Sequence, residues 1–193
     1  SSEHPNCQQI PRDTRIRSLI TAPPGWTLVE CDLSQIELRI AAELANERTM
    51  LEAFRKGEDV HWLTAIREIA RGGGQAEIVL DTARTWKQDK SIKYSEAIEI
   101  LLEMGPDEAA EINKEWKELR KKAKAINFGY LFGMWWKKFK AYARDNYDVI
   151  VSDEEAQESR KFFFGTYSDL NKWHDRQRRY ARNNGYVRSL SGR

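Results

Sequence analysis

Arg120, Lys124 and Phe128 recur at four-residue intervals, and at about 100° per residue a helix keeps all three within a stripe roughly 80° wide. Two cations and an aromatic ring on one face suit a nucleoside triphosphate: the cations meet the phosphates and the ring packs on sugar or base. The same spacing also describes an ordinary amphipathic helix, with Phe128 in the core and the cations in water, so spacing leaves both readings open. Asp32 is the second candidate. A carboxylate at a strand end, beside a turn and a helix start, is where hard divalent cations are held together with phosphate oxygens and water. One carboxylate is not a site, and Asp32 is equally placed to cap the helix that follows.

The elements that must position these residues can be read from the chain. Residues 1–25 form a loop region punctuated by Pro5, Pro11, Pro23, Pro24 and Gly25, with a short apolar stretch around 16–20. Residues 26–32 read as a strand ending at Asp32. Ser34-Gln35-Ile36-Glu37 reads as a capping box, and Ile36, Ile40 and Leu44 share one face of the helix it opens. Thr49 to Glu52 repeats the box, Gly57 ends that helix, and Asp59 caps the next, which runs to Gly72-Gly73-Gly74. One or two helices span 75–105, the second capped by Ser95 and stopped at Gly105-Pro106. A long helix over 107–130 follows, then one from about Trp135, one capped by Ser152 with Glu155, and a last one from Ser168 or Asp169 to Asn184-Gly185. Residues 186–190 read as a strand and 191–193 as a turn.

Composition bounds the class. At 193 residues, 40% hydrophobic and 32% charged, the chain suits a helix-rich globular protein and carries no apolar run long enough to span a membrane. Cys7 and Cys31 offer neither a disulfide framework nor a CxxC pair, which fits a reducing compartment. The net charge of +2 hides clustering: residues 172–193 hold seven cations (Lys172, Arg176, Arg178, Arg179, Arg182, Arg188, Arg193) against Asp175 alone, and a second basic block runs over 114–144. Such blocks are either phosphate-binding faces or solvated helix faces.

A resemblance joins these pieces. Asp32-Leu33-Ser34-Gln35-Ile36-Glu37-Leu38-Arg39 resembles motif A of family A, DNA polymerase I-like, DNA polymerases, D-Y-S-Q-I-E-L-R, with Leu33 in place of Tyr. Arg120, Lys124, Asn127, Phe128, Gly129 and Gly133 resemble motif B, R-x-x-x-K-x-x-N-F-G-x-x-Y-G, with Phe132 where the family has Tyr. Ser1-Ser2 with the 5–11 segment, Asp59-Val60-His61, and Gly185-Tyr186-Val187 with Ser191-Gly192-Arg193 resemble three further family segments, in the same order.

The resemblance implies an α+β fold, mostly α-helical, with short antiparallel strands in a partial palm. Residues 1–46 would be partial palm, 47–167 fingers with an inserted helical segment about 73–112, and 168–193 a return to palm that stops before the motif with the second catalytic carboxylate. His174-Asp175-Arg176 reads as a decoy for that motif, with Asp175 a surface ion-pair partner. The implied activity is template-directed transfer of dNTPs to a primer 3′-hydroxyl, with two Mg²⁺ ions in the complete enzyme and the isolated piece inactive. Asp32 and the Leu33 carbonyl would hold metal. Arg120 and Lys124, with His61 and Gln35, would bind the triphosphate, and Glu37 would exclude a ribose 2′-hydroxyl. Phe128 would lie on the deoxyribose, its Phe identity implying discrimination against dideoxynucleotides, and Phe132 would stack near the templating base. Asn6, Gln8, Gln9, Arg15, Arg17, Arg188 and Arg193 would touch primer–template DNA. A monomer without a membrane partner is expected, in the cytoplasm, or the host's if the source is a virus. A non-catalytic nucleic-acid-binding module and a single-subunit RNA polymerase are the alternatives; Glu37 disfavours the second.

Overall fold

The computed structural model describes residues 13–29, 31–72 and 76–188. It divides into two units, residues 1–34 and 35–193. In the first, Asp13 caps the short helix α1 (Thr14–Arg17): its carboxylate accepts the Arg15 backbone N–H at 2.9 Å and pairs with the Arg15 guanidinium at 2.6 Å. The Trp26 N–H closes a turn on the Pro23 carbonyl at 2.9 Å.

The expected strand over 26–32 does not form, nor does one over 186–188, and no strand occurs among the described residues; residues 189–193 lie outside them. Trp26, Leu28 and Val29 have strand-forming side chains yet are 76%, 62% and 80% exposed. Local propensity makes a strand only when a neighbour completes the ladder and covers one face. Among the described residues the fold is therefore mostly helical, without the antiparallel strands expected of it.

The second unit begins with α2 (Ile36–Ala45), α3 (Arg48–Arg55) and α4 (Val60–Gly72). α5 (Ala76–Lys87), α6 (Tyr94–Glu103) and α7 (Pro106–Ile112) follow, then α8 (Glu115–Leu131), α9 (Trp136–Tyr147), α10 (Asp153–Thr166) and α11 (Ser168–Asn184). Several starts differ from the sequence pattern. Gln35 in the left-handed region (φ 54°) is the N-cap of α2, with no side-chain cap bond, one residue past the Ser34 of the expected capping box. That box needs an extended N-cap residue whose hydroxyl reaches the third helical N–H. Glu47, not Thr49, caps α3, and Lys93 precedes α6 in place of Ser95. The long helix expected over 107–130 is two, because Asn113 is extended and its side chain accepts the Glu115 N–H at 3.0 Å, competing with the helical ladder. Asp59 caps α4 as expected, accepting the His61 and Trp62 N–H groups at 2.8 and 3.2 Å, and the Ser152–Glu155 box closes on α10.

α8 is buried against two cores. Ala125, Ile126 and Tyr130 join Leu38, Met50, Phe139, Phe163 and Leu170 in one. Trp116 and Ala123 join Trp62, Ile66, Val79, Leu101 and Met104 in the other, which holds the 76–112 helices against α4 and α8. Trp62 Nε1 donates to the Leu101 and Met104 carbonyls, both at 2.9 Å, satisfying orphan groups at the end of α6. Gly129 lets α9 approach: a Cβ there would meet the Phe139 ring at 2.7 Å.

One buried carboxylate ties remote helices together. Glu47, 2% exposed, accepts the Thr49 N–H at 3.1 Å through one oxygen and the Asp169 and Leu170 N–H groups at 2.8 and 3.1 Å through the other. It thus serves the N-termini of α3 and α11 at once, where peptide dipoles favour a negative charge. Glu47→Ala should cost about 2–4 kcal/mol, two lost caps and their stranded donors, read as a lower denaturant midpoint; an unchanged midpoint contradicts the double-cap role.

Candidate functional site

The pair α4–α8 places four of the expected residues together. Arg120 is held by Asp59 at the start of α4: Nη2 lies 2.5 Å and Nε 3.1 Å from Asp59 Oδ2. Four residues on, Lys124 is exposed, and Phe128 is half-buried against the larger core. The Phe128 ring stands 5.4 Å from that of His61, tilted by 44°. The cation–cation–ring stripe therefore exists as a helical face, bordered by α4.

The electrostatics follow from burial. Removal from water works to raise the Asp59 carboxyl, but the Arg120 hydrogen bond and charge, with His61, hold it below the usual carboxylate range. His61 is 2% exposed. Burial pushes its pKa down to about 4, aided by Arg120 and Lys124 and opposed by Asp59. It is neutral at physiological pH.

A buried polar chain fixes its orientation. Asn127 Nδ2 donates to His61 Nδ1 at 2.9 Å, so the ring proton sits on Nε2. Thr64 Oγ1 is shared between the Val60 carbonyl at 2.8 Å and Asn127 Oδ1 at 3.0 Å, and Tyr167 Oη lies 3.0 Å from Thr64 Oγ1. Asp59, Thr64 and Tyr167 carry no sequence signal for this role beyond the Asp-Val-His triplet and the motif asparagine. Their partners are 61 and 103 residues away in the chain.

Two other expected residues line a separate cavity of about 500 Å³. Glu37 and Ile40 from α2, Phe132 and Gly133 at the end of α8, and Trp173 and Arg178 from α11 form its wall. Phe132 is 65% exposed. Gly133 ends α8 with φ +71°, a backbone that favours glycine. Gln35 has its side-chain oxygen buried with no donor reaching it among the described residues. Its left-handed backbone is uncommon for a residue with a side chain, and such conformations gather at functional turns.

Asp32 and Leu33 are exposed residues of the first unit. Among the described residues no group of three or more His, Cys, Asp or Glu side chains is arranged to hold a metal. Arg15 is paired with Asp13, and the Arg188 guanidinium rests over Tyr186, 5.5 Å from its centre. Asn6, Gln8, Gln9 and Arg193 lie outside the described residues. Asp175 pairs at the surface with Arg178 at 3.1 Å, and His174 is buried. No helix among the described residues is long and apolar enough to cross a membrane.

The profile of DNA polymerase family A matches residues 1–95 and 106–193. DNA polymerase I of Aquifex aeolicus (strain VF5) is 36% identical over the whole chain, which spans 27% of that relative. The thermostable DNA polymerase I of Thermus aquaticus is 30% identical, spanned over 18% of its length, and the chloroplastic/mitochondrial DNA polymerase I A of Arabidopsis thaliana 31%, over 17%. The chain thus covers about a quarter or less of each.

Because the unfolded chain takes a proton on histidine near 6.5 and the folded one near 4, the His61 contribution is intact above pH 6.5 and declines as pH falls toward 4. His61 should show no charge change by NMR between pH 5 and 8; a midpoint above 6 contradicts the buried neutral ring. Part of the stability lost between pH 7 and 5 in urea melts should disappear in His61→Asn.

Proposed function

The chain belongs to DNA polymerase family A, and from that premise we propose that it forms the fingers and part of the palm of a template-directed DNA polymerase, acting within a longer polypeptide. The observation that carries this reading is the convergence on α4 and α8 of Arg120, Lys124, Phe128 and a neutral His61. On this reading residues 1–46 and 168–193 serve the palm, 47–167 the fingers, and the helices within 73–112 are an insertion that closes its own core on α4 and α8.

The roles follow from chemistry. Lys124 brings an exposed ammonium to the triphosphate, and Arg120, aimed by Asp59, presents its remaining guanidinium edge. His61 offers Nε2–H as a neutral donor whose charge does not change over the working pH range. On the same reading Gln35 contributes an amide donor to the triphosphate. As charge builds on the leaving pyrophosphate these donors are already oriented, so little reorganisation is needed at the reacting moment. Phe128 bears on the deoxyribose and Phe132 near the templating base. Glu37, at the cavity edge, excludes a 2′-hydroxyl by bulk and charge. Arg15, Arg17 and Arg188, with Asn6, Gln8, Gln9 and Arg193, contact primer–template DNA.

Mg²⁺, when bound, would supply activation of the primer hydroxyl and neutralise the departing phosphates. Asp32 and the Leu33 carbonyl are the oxygen donors of this chain suited to it, and one carboxylate leaves a two-ion centre incomplete. The assembled enzyme is expected to work as a monomer in the cytoplasm.

Primer extension by the full-length protein tests the reading. Lys124→Ala and Asp32→Ala should each lower dNTP incorporation by on the order of 10²-fold or more, with DNA binding largely retained, and Glu37→Ala should raise ribonucleotide use. Incorporation at the unaltered rate in either of the first two variants removes the assignment.

A further inference from the structure

The helices of 76–112 carry their charge unevenly. Residues 96–111 hold Glu96, Glu99, Glu103, Asp107, Glu108 and Glu111, all exposed, and no cation. The turn between α5 and α6 is the reverse: residues 84–95 hold Arg84, Lys87, Lys90 and Lys93 against Asp89 alone. Trp86, between Arg84 and Lys87 in the chain, is 48% exposed.

Hydrogen bonds fix the shape of this turn. Arg84 is drawn inward, its Nη2 and Nε donating to the Ile92 carbonyl at 3.0 and 3.3 Å, and Ile92 is buried in the core shared with α4 and α8. The Asp89 N–H closes on the Arg84 carbonyl at 3.1 Å, across a left-handed Gln88 (φ 55°). One Asp89 oxygen accepts both the N–H and the hydroxyl of Ser91, at 2.8 and 2.7 Å. The acid of the turn is thereby committed to the turn's own shape, while Trp86, Lys87, Lys90 and Lys93 are left exposed.

Nothing in the fold requires these lysines. Lys56, Lys121, Lys122, Lys140 and Lys172 each pair with a carboxylate. Lys87, Lys90 and Lys93 have no ion-pair partner among the described residues. Lys93 is moreover the N-cap of α6, with no side-chain cap bond, and a cation at that end opposes the helix dipole. Like charges gathered on one turn repel one another, and phosphates neutralise that repulsion. The exposed indole narrows the choice of polyanion. Each base of a single strand offers it a π-face, whereas an acidic peptide offers only charge and a duplex hides its bases.

We propose that the α5–α6 turn is a sequence-independent binding site for single-stranded DNA, with Trp86 stacking on a base and Lys87, Lys90 and Lys93 meeting the adjoining phosphates. The acidic run over 96–111 repels the same backbone, which confines the strand to the turn. The naming of the strand as DNA rests on the polymerase reading; the contacts themselves do not involve the face of Arg120, Lys124 and Phe128.

Fluorescence anisotropy with the full-length protein, in the absence of dNTPs, tests the site. The probe is a labelled oligothymidylate of about 20 nucleotides, longer than one stacking site. Lys87→Ala, Lys90→Ala and Lys93→Ala together should weaken low-salt binding and flatten the slope of log affinity on log salt by about 2, as for three phosphate contacts on a single strand. Trp86→Ala should weaken binding about tenfold at an unchanged slope, the loss of one stacked base. Trp86→Phe should restore most of that loss, and a blunt duplex should bind Trp86→Ala as tightly as wild type. An unaltered slope in the triple variant, or equal loss from Trp86→Ala on strand and duplex, overturns the site. So does a polyglutamate peptide that binds wild type but not the triple variant while oligothymidylate affinity is unaltered, since the turn then docks a protein. Primer extension by Lys124→Ala is scored in parallel. Lost incorporation there with turn variants that bind the strand normally removes this site alone, and unaltered incorporation with turn-dependent strand binding removes the polymerase reading alone.

Discussion

The contact on which the site depends is the buried polar seam between α4 and α8, where Asn127 reaches His61 and Thr64 across the interface and Tyr167 closes the far end. Two packed helices can slide by a turn at small cost when only aliphatic side chains meet. A seam of hydrogen bonds sealed from water removes that freedom, because each displaced donor or acceptor is stranded at a cost of about 1–3 kcal/mol. One register is thereby selected, and it is the register that brings Asp59 to Arg120 and His61 to Phe128.

The surrounding packing makes that seam durable. α8 lies against an aromatic-rich core on one side, where Tyr130 stacks near Phe139 at 4.5 Å and donates its hydroxyl to the Ala156 carbonyl at 2.7 Å. On the other side Trp62 and Trp116 meet edge to face at 4.8 Å, with Trp116 bonded to Thr82. The helices of 76–112 therefore do more than decorate the surface, since their core includes residues of α4 and α8. Glu47 adds a cross-tie, holding the start of α11 to the start of α3 through one carboxylate. The helix that bears Trp173, His174 and Arg178 is anchored at its N-terminus by a residue more than a hundred positions earlier.

Charge is handled differently near α4 and near the α8–α9 turn. Near α4 the cations are buffered: Asp59 takes up Arg120, and burial keeps His61 neutral, leaving Lys124 as the exposed charge of the stripe. Near the α8–α9 turn the layout is less compensated, with Arg160 layered between rings and Arg178 shared with Asp175. A chain with a net charge of +2 thus presents cations where the motif segments come to the surface, a property of arrangement and not of composition.

Much of this was legible in the residues alone. The helical face of Arg120, Lys124 and Phe128, the caps at Asp59 and Ser152, the glycine ends and the polymerase-like motifs are short-range features, set by neighbours within a turn or two, and local chemistry is sufficient to specify them. Propensity failed where the deciding partner is remote or the backbone takes an unusual turn: residues 26–29 look like a strand without a ladder to join, Ser34 looks like a cap until Gln35 adopts a left-handed conformation, and Asn113 breaks what reads as one helix. Tertiary structure alone decided that Glu47 would cap two helices, that Asn127 would lock a histidine, and that Arg160 would lie beneath Trp135. Each of those depends on burial, which turns a polar side chain into a strong and directional constraint only after distant segments have excluded water from it.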